Sequence, residues 1–243
     1  MLDVDAQRMV FERVRMAAKQ HGLLVAPIGS VYFLQMGEPR LLTKDVDTVL
    51  HENDHEIPPL EKVVALANDL GGEVVVAEQR SIVIVTIRDL AEDPVIIELL
   101  RGRDRPGFLN RSLLTRAADL AKRDDNVLHY PVEFVITLKA EASIDRSERA
   151  RKARGRAAKE SDPAKRQEDL DMAERSDARS TDFSRDVFGQ MAAAMQGGLK
   201  EDLFADALTH VKETWRADVA NLVDAASQGS LHLRSNKKLF PKG

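Results

Sequence analysis

Apolar positions recur along this chain with two different periods. Over residues 4–21, Val4, Met9, Val10, Val14 and Met16-Ala17 fall at helical spacing, which predicts an amphipathic helix stopped by Gly22. Leu23–Ile28 is a short apolar run and predicts a strand. Gly29-Ser30 breaks it, and Val31–Met36 reads as the start of a helix. Lys44–Leu50 predicts a second strand. Pro58–Leu70 predicts a helix, with proline near its first turn and Gly71-Gly72 at its end. Three β-rich runs follow, Glu73–Ala77, Ser81–Ile87 and Pro94–Leu100. The short polar turn between the first two predicts a hairpin. Arg101–Pro106 reads as a charged loop.

From Leu109 the pattern changes. Helical spacing predicts helices near 110–123, 131–145, 163–178, 183–196 and 199–227, with a short strand at Val127–Tyr130. The expected organisation is α/β: a mixed sheet with flanking helices over residues 1–128, then an α-helical domain over 129–243. Phe183, Phe188, Phe204 and Trp215 are expected in the core of the helical half. The tail Leu233–Gly243 is basic.

Composition narrows the chemistry. The 243 residues include no cysteine, which excludes a disulfide framework, thiolate zinc sites and a cysteine nucleophile. That usage fits a reducing cytoplasm. No run approaches the ~20 apolar residues of a membrane span, so no membrane association is expected. Asp3, Asp5 and Glu12 near the start argue against a secretory signal. With a net charge of −4, affinity for nucleic acid has to come from a local patch. The stretch 145–166 offers one: nine Lys/Arg against four Asp/Glu, a balance of +5. Arg149, Arg151, Lys152 and Arg154 are its candidates for a polynucleotide backbone. The competing reading is a solvated mixed-charge helix or loop.

The candidate chemistry lies in residues 26–50. Gly29 allows a close backbone approach to a phosphate, and Ser30 opens a helix whose free N–H groups can face that phosphate. Asp45 and Asp47, at i and i+2 of a predicted strand, point to one face. Glu98 is an acid inside the apolar run Val95–Leu100, where an isolated charge is costly. If its strand neighbours that of Asp45 and Asp47, the three carboxylates form a hard-oxygen site for Mg²⁺ bound to a nucleoside triphosphate. Each member alone has an ordinary reading as a turn, a cap or a solvent-facing strand residue. Their order and spacing carry the functional one. A second polar group, His51, Asp54, His55 and Glu56, is expected to be a loop before Pro58-Pro59.

Gly29-Ser30, then Thr43-Lys44-Asp45-Val46-Asp47, then the strand acid Glu98 resembles the DNA-polymerase-β superfamily of nucleotidyltransferases. Residues 132–146, with Lys139, Ala142 and Arg146, resemble a helix of its abortive-infection (type IV toxin–antitoxin) toxins. Where that family has Lys-Asp-x-x-Asp, this chain has Gln167-Glu168-Asp169-Leu170-Asp171, so Asp171 is the better equivalent. Glu98 stands where Asp is common, and Arg40 is one position out of register. The motifs span about residues 26–171.

The resemblance implies a minimal nucleotidyltransferase sheet followed by a helical domain, with the active site in the cleft between them. It implies Asp45, Asp47 and Glu98 as ligands of two Mg²⁺ ions. Gly29, Ser30, Thr43, Lys139, Arg146 and Asp171 would bind NTP, with Lys139 also catalytic. The implied reaction moves a nucleoside monophosphate from NTP to RNA, at the 3′ end of tRNA, in a toxin partnered by an antitoxin. Two rivals share the sequence features: transfer to a small molecule or protein, and a non-catalytic binding module on the same fold.

Overall fold

The computed structural model describes residues 2–35, 45–77, 80–88, 93–103, 107, 109–194 and 199–235. The chain divides into two units, Met1–Arg105 with Leu109–Pro131, and Pro106–Phe108 with Val132–Gly243. The expected boundary after residue 128 shifts to Pro131, because the strand Val127–His129 pairs with Leu24–Ile28 and belongs to the first unit.

In the first unit, α1 (Val4–Gln20) begins at Asp3, whose carboxylate accepts the Ala6 N–H at 2.8 Å. It is followed by β1 (Leu24–Ile28), α2 (Gly29–Gln35), β2 (Asp45–His51) and α3 (Leu60–Asp69). Then come β3 (Glu73–Ala77), β4 (Ile82–Ile87), β5 (Val95–Leu100), α4 (Arg111–Asp119), β6 (Lys122–Asp124) and β7 (Val127–His129). Among the described residues the strands form one mixed sheet in the order β3-β4-β5-β2-β1-β7-β6. The expected β3–β4 hairpin is antiparallel, with Val75 opposite Ile84. Sequence pattern did not reveal β6, because Lys122, Arg123 and Asp124 are all exposed and show no alternation.

The period of two decides which face is dry. Val46, Val83, Val85, Ile97 and Leu99 point to one side and pack under Val10, Phe11 and Val14 of α1 and Val63, Leu66 and Ala67 of α3. The residues between them point the other way. One cross-strand row there reads Val75–Ile84–Glu98–Asp47–Ile28, and the next reads Glu73–Thr86–Ile96–Asp45. Ile84, Thr86, Ile96, Glu98, Asp45 and Asp47 are each half-buried. The acids thus occupy an open strip on a sheet whose reverse is sealed by core.

The second unit is helical: α5 (Val132–Ala157), α6 (Pro163–Ala194), α7 (Glu201–Thr209), a 3₁₀ turn at Glu213–Trp215, and α8 (Arg216–Ser235). Ile136 and Ala140 of α5 pack with Val211, Trp215, Val219 and Val223. Three expectations need correction. The helix expected over 131–145 runs on to Ala157, because Ala150 and Ala153 form a small apolar stripe packed on Ala173 of α6. The expected helices 163–178 and 183–196 are one continuous helix to Ala194. The expected helix 199–227 is interrupted between His210 and Trp215.

Candidate metal centre

Asp45 and Asp47 are two residues apart on β2, so both side chains project from one face. β5 lies parallel beside β2 with Glu98 opposite Asp47 and Ile96 opposite Asp45. That register turns a sequence separation of about fifty residues into direct adjacency. Each of the three acids offers a carboxylate oxygen, and these oxygens lie within 4.8 Å of one another. Among the described residues this is the one group of three or more such side chains able to hold a metal ion.

The local backbone is shaped around Asp47. β1 ends at Ile28, opposite Asp47, and Gly29 follows with φ +63°. A Cβ at Gly29 would stand 2.5 Å from Asp47 Oδ2, so any larger residue would push against the carboxylate. Glycine is required there both for the left-handed backbone and for the space. Ser30 is buried at the start of α2, and its hydroxyl donates a long 3.5 Å hydrogen bond to the Asp45 carbonyl. α2 therefore begins against the strand that carries both aspartates.

Three carboxylates gathered this closely repel one another, and a cation among them relieves that cost. An all-oxygen donor set in a chain without cysteine suits a hard cation. The donor chemistry therefore fits a metal of the Mg²⁺ type. Thr43, with Arg40 and Lys44, lies outside the described residues.

The remaining candidates belong to the helical unit. Lys139 and Arg146 lie seven residues apart on α5, and both side chains are buried and engaged in polar or charged interactions. Asp171 is exposed on α6, where its carboxylate accepts the Gln167 amide at 2.7 Å.

The basic stretch is not an uncompensated patch. Arg149 meets Asp145 at 2.7 Å and Lys152 meets Glu148 at 2.6 Å, each one turn apart on α5. Arg154 pairs with Asp177, and Arg156 pairs with Asp169 at 2.6 Å, both on α6. The linear count of +5 included Asp145 and Glu148 but omitted Asp169 and Asp177 of α6. Over 145–194 there are twelve Lys/Arg and eleven Asp/Glu, so the helix pair carries 12 − 11 = +1. Arg151 is exposed on α5, in line with the solvated reading.

Two features escaped sequence reasoning. The first is a cavity of about 590 Å³ lined by α1 and the β6–β7 turn, including Arg8, Arg15, Asp125 and His129. None of the three clustered acids lines it. Arg15 is held there by Glu12 at 2.5 Å and Asp125 at 2.9 Å. The Glu12 carboxyl pKa is lowered by Arg15, and that of Asp125 by Lys19 at 2.7 Å and then by Arg15. The second is a buried dyad in place of the expected polar loop cluster. His51 Nδ1 donates to the His55 carbonyl at 2.9 Å, which leaves Nε2 to accept from the Tyr130 hydroxyl. Burial pushes the imidazole down to about 4 and the Tyr130 phenol up. His55 and Glu56 go elsewhere, to Asp119 at 3.0 Å and Arg111 at 2.5 Å.

The chain matches no protein-family model, no curated protein and no solved structure. Among the described residues no helix is long and apolar enough to cross a membrane.

Proposed function

We propose that this chain is a metal-dependent nucleotidyltransferase, transferring a nucleoside monophosphate from an NTP to an acceptor. The observation that carries the reading is the convergence of Asp45, Asp47 and Glu98 within 4.8 Å on the open strip of the sheet, beside a glycine fitted to Asp47. Asp45, Asp47 and Glu98 would hold Mg²⁺. Bound there, the cation would supply charge neutralisation at the phosphates and a more acidic acceptor hydroxyl. In the reaction the acceptor oxygen bonds to the α-phosphorus, the bond to the pyrophosphate oxygen breaks, and the acceptor's proton is lost. The chain's own work is positional. Adjacent strands fix the three carboxylates in one register, and Gly29 keeps the space beside Asp47 clear. The resemblance adds Gly29, Ser30, Thr43, Lys139, Arg146 and Asp171 as groups for the NTP. It also adds RNA as acceptor, toxin activity and an antitoxin.

One observation favours a second reading of the acceptor. Three of the four cations offered for an RNA backbone, Arg149, Lys152 and Arg154, already pair with acids on α5 and α6. That supports transfer to an acceptor without a long polyanionic backbone, such as a protein or a small molecule.

The test uses each of the four NTPs labelled at the α-phosphate, with Mg²⁺ and total cellular RNA or protein. Label from the α-position should enter one class of acceptor, with release of an equal amount of unlabelled pyrophosphate. Absence of Mg²⁺-dependent transfer with all four would reject the activity.

A further inference from the structure

The two edges of the sheet differ. β6 is three residues long, and all three are charged and exposed. Arg123 is also tied back to the Asp125 carbonyl at 2.8 Å. A short, charged edge resists pairing with another chain. β3 has none of these protections. Its five residues, Glu73-Val74-Val75-Val76-Ala77, carry a single charge, at the first position, and Arg88 meets that charge at 3.5 Å. Pairing with β4 runs without a bulge from Glu73 opposite Thr86 to Ala77 opposite Ile82. β3 contains no proline.

Val75 is 47% exposed and Val76 43%. As neighbours on a strand they point to opposite faces. A partner laid on one face of the sheet would cover only one of them. A strand added at the edge covers both, because its side chains flank β3 on either face while its backbone meets the outward N–H and C=O groups.

We infer that β3 is a dimerisation edge, on which a second copy of this chain lays its own β3 antiparallel across a two-fold axis at Val75. That axis sets Val75 against Val75 of the second copy, Val74 against Val76, and Glu73 against Ala77. No like charges meet at the seam, although each chain carries −4. The strand is complementary to itself, as a closed two-fold contact requires. Val75 against Val75 would also bury apolar surface that is 47% exposed in the single chain. The row Val75–Ile84–Glu98–Asp47 then continues into its own copy. Both acidic clusters open on the same side, about 34 Å apart along the sheet at about 4.8 Å per strand step.

The absence of cysteine makes a direct test available. Val75→Cys in the full chain places one thiol at the axis, and mild oxidation should give a covalent dimer of twice 27.0 kDa. Glu73→Cys should not cross-link, since its two copies would lie four residues apart along the strands, roughly 13 Å. Val75→Lys sets two ammonium groups face to face and should convert the dimer to monomer in sedimentation, with an unchanged circular dichroism spectrum. The inference is overturned by wild-type protein that sediments as a monomer at its highest soluble concentration. It is equally overturned by both cysteine variants cross-linking alike, or by a dimer that survives Val75→Lys.

Discussion

Two concentrations of charge, one in each unit, are built on opposite principles. On the open strip of the sheet, Asp45, Asp47 and Glu98 bring like charges within 4.8 Å of one another. On α5 and α6, opposite charges interleave, and Arg149, Lys152, Arg154 and Arg156 each meet an acid. The first sets like charges side by side, an arrangement that suits a cation, so it is the one that points to a ligand. The second pairs opposite charges within its own unit. Counting charges along the sequence ranked the basic stretch as an obvious patch, and strand register is what ranked the three acids above it.

The largest effect should come from breaking the acid cluster. Asp47→Ala and Glu98→Gln should each cut nucleotidyl transfer by orders of magnitude, read as turnover with each labelled NTP. Circular dichroism should be unchanged, because the half-buried carboxylates contribute charge and not packing. Without metal, thermal unfolding of these variants should occur at the same or a higher temperature, since like-charge repulsion is relieved. A marked loss of melting temperature would mean that the acids are structural.

His51 shows a third way to house an ionisable group, which is to keep it neutral. Its pKa falls from 6.5 to about 4 because of burial. Above pH 6.5 the group is neutral in both folded and unfolded chains and has no effect on stability. As pH falls from 6.5 towards 4 the unfolded chain takes up a proton that the folded chain refuses, so stability drops. A shift of that size corresponds to about 3 kcal/mol by pH 4. Denaturant melts across that window should show the loss in wild type and a flatter curve in His51→Gln.

A smaller effect is expected at Gly29. Gly29→Ala forces a side chain into a left-handed conformation and against Asp47 Oδ2. The cost should be about 1–2 kcal/mol of stability, with weaker metal affinity as Asp47 is displaced. Asp45→Ala should lose metal affinity without that strain, so the pair of variants separates the two causes.

The smallest effect should follow removal of the paired cations. In the quadruple replacement of Arg149, Arg151, Lys152 and Arg154 with alanine, each of the exposed cations Arg151, Lys152 and Arg154 should cost less than about 1 kcal/mol. If all four contacted single-stranded RNA phosphates, the salt slope of binding would fall by about 3. The interleaved arrangement predicts a change below about 1. A fall near 3 would restore the stretch as an RNA surface.

How much could be read beforehand follows from the same physics. β2, β4 and β5 were legible as short β-rich apolar runs, and the i, i+2 spacing of Asp45 and Asp47 gave their shared face. That Glu98 joins them depends on β2 and β5 being neighbours in register, which the sequence only suggested. The length of α5 was hidden because charged residues surround a stripe made only of alanine, Ala150 and Ala153. Across the break expected within α6, at 179–182, the Ser180 hydroxyl donates to the Ser143 carbonyl of α5 at 2.9 Å, a contact between residues 37 apart that the sequence does not show. The His51–Tyr130 dyad joins residues 79 apart in sequence and left no local signal.

Mg²⁺ binding by the triad is the central claim, and calorimetric titration of the unmodified chain measures it without assuming an acceptor. The account predicts saturable Mg²⁺ uptake by wild type, strengthened by NTP, abolished by Asp47→Ala and weakened by Gly29→Ala. Wild-type protein that takes up no Mg²⁺ in the presence of any NTP, or an Asp47→Ala variant that binds it as well as wild type, would contradict it.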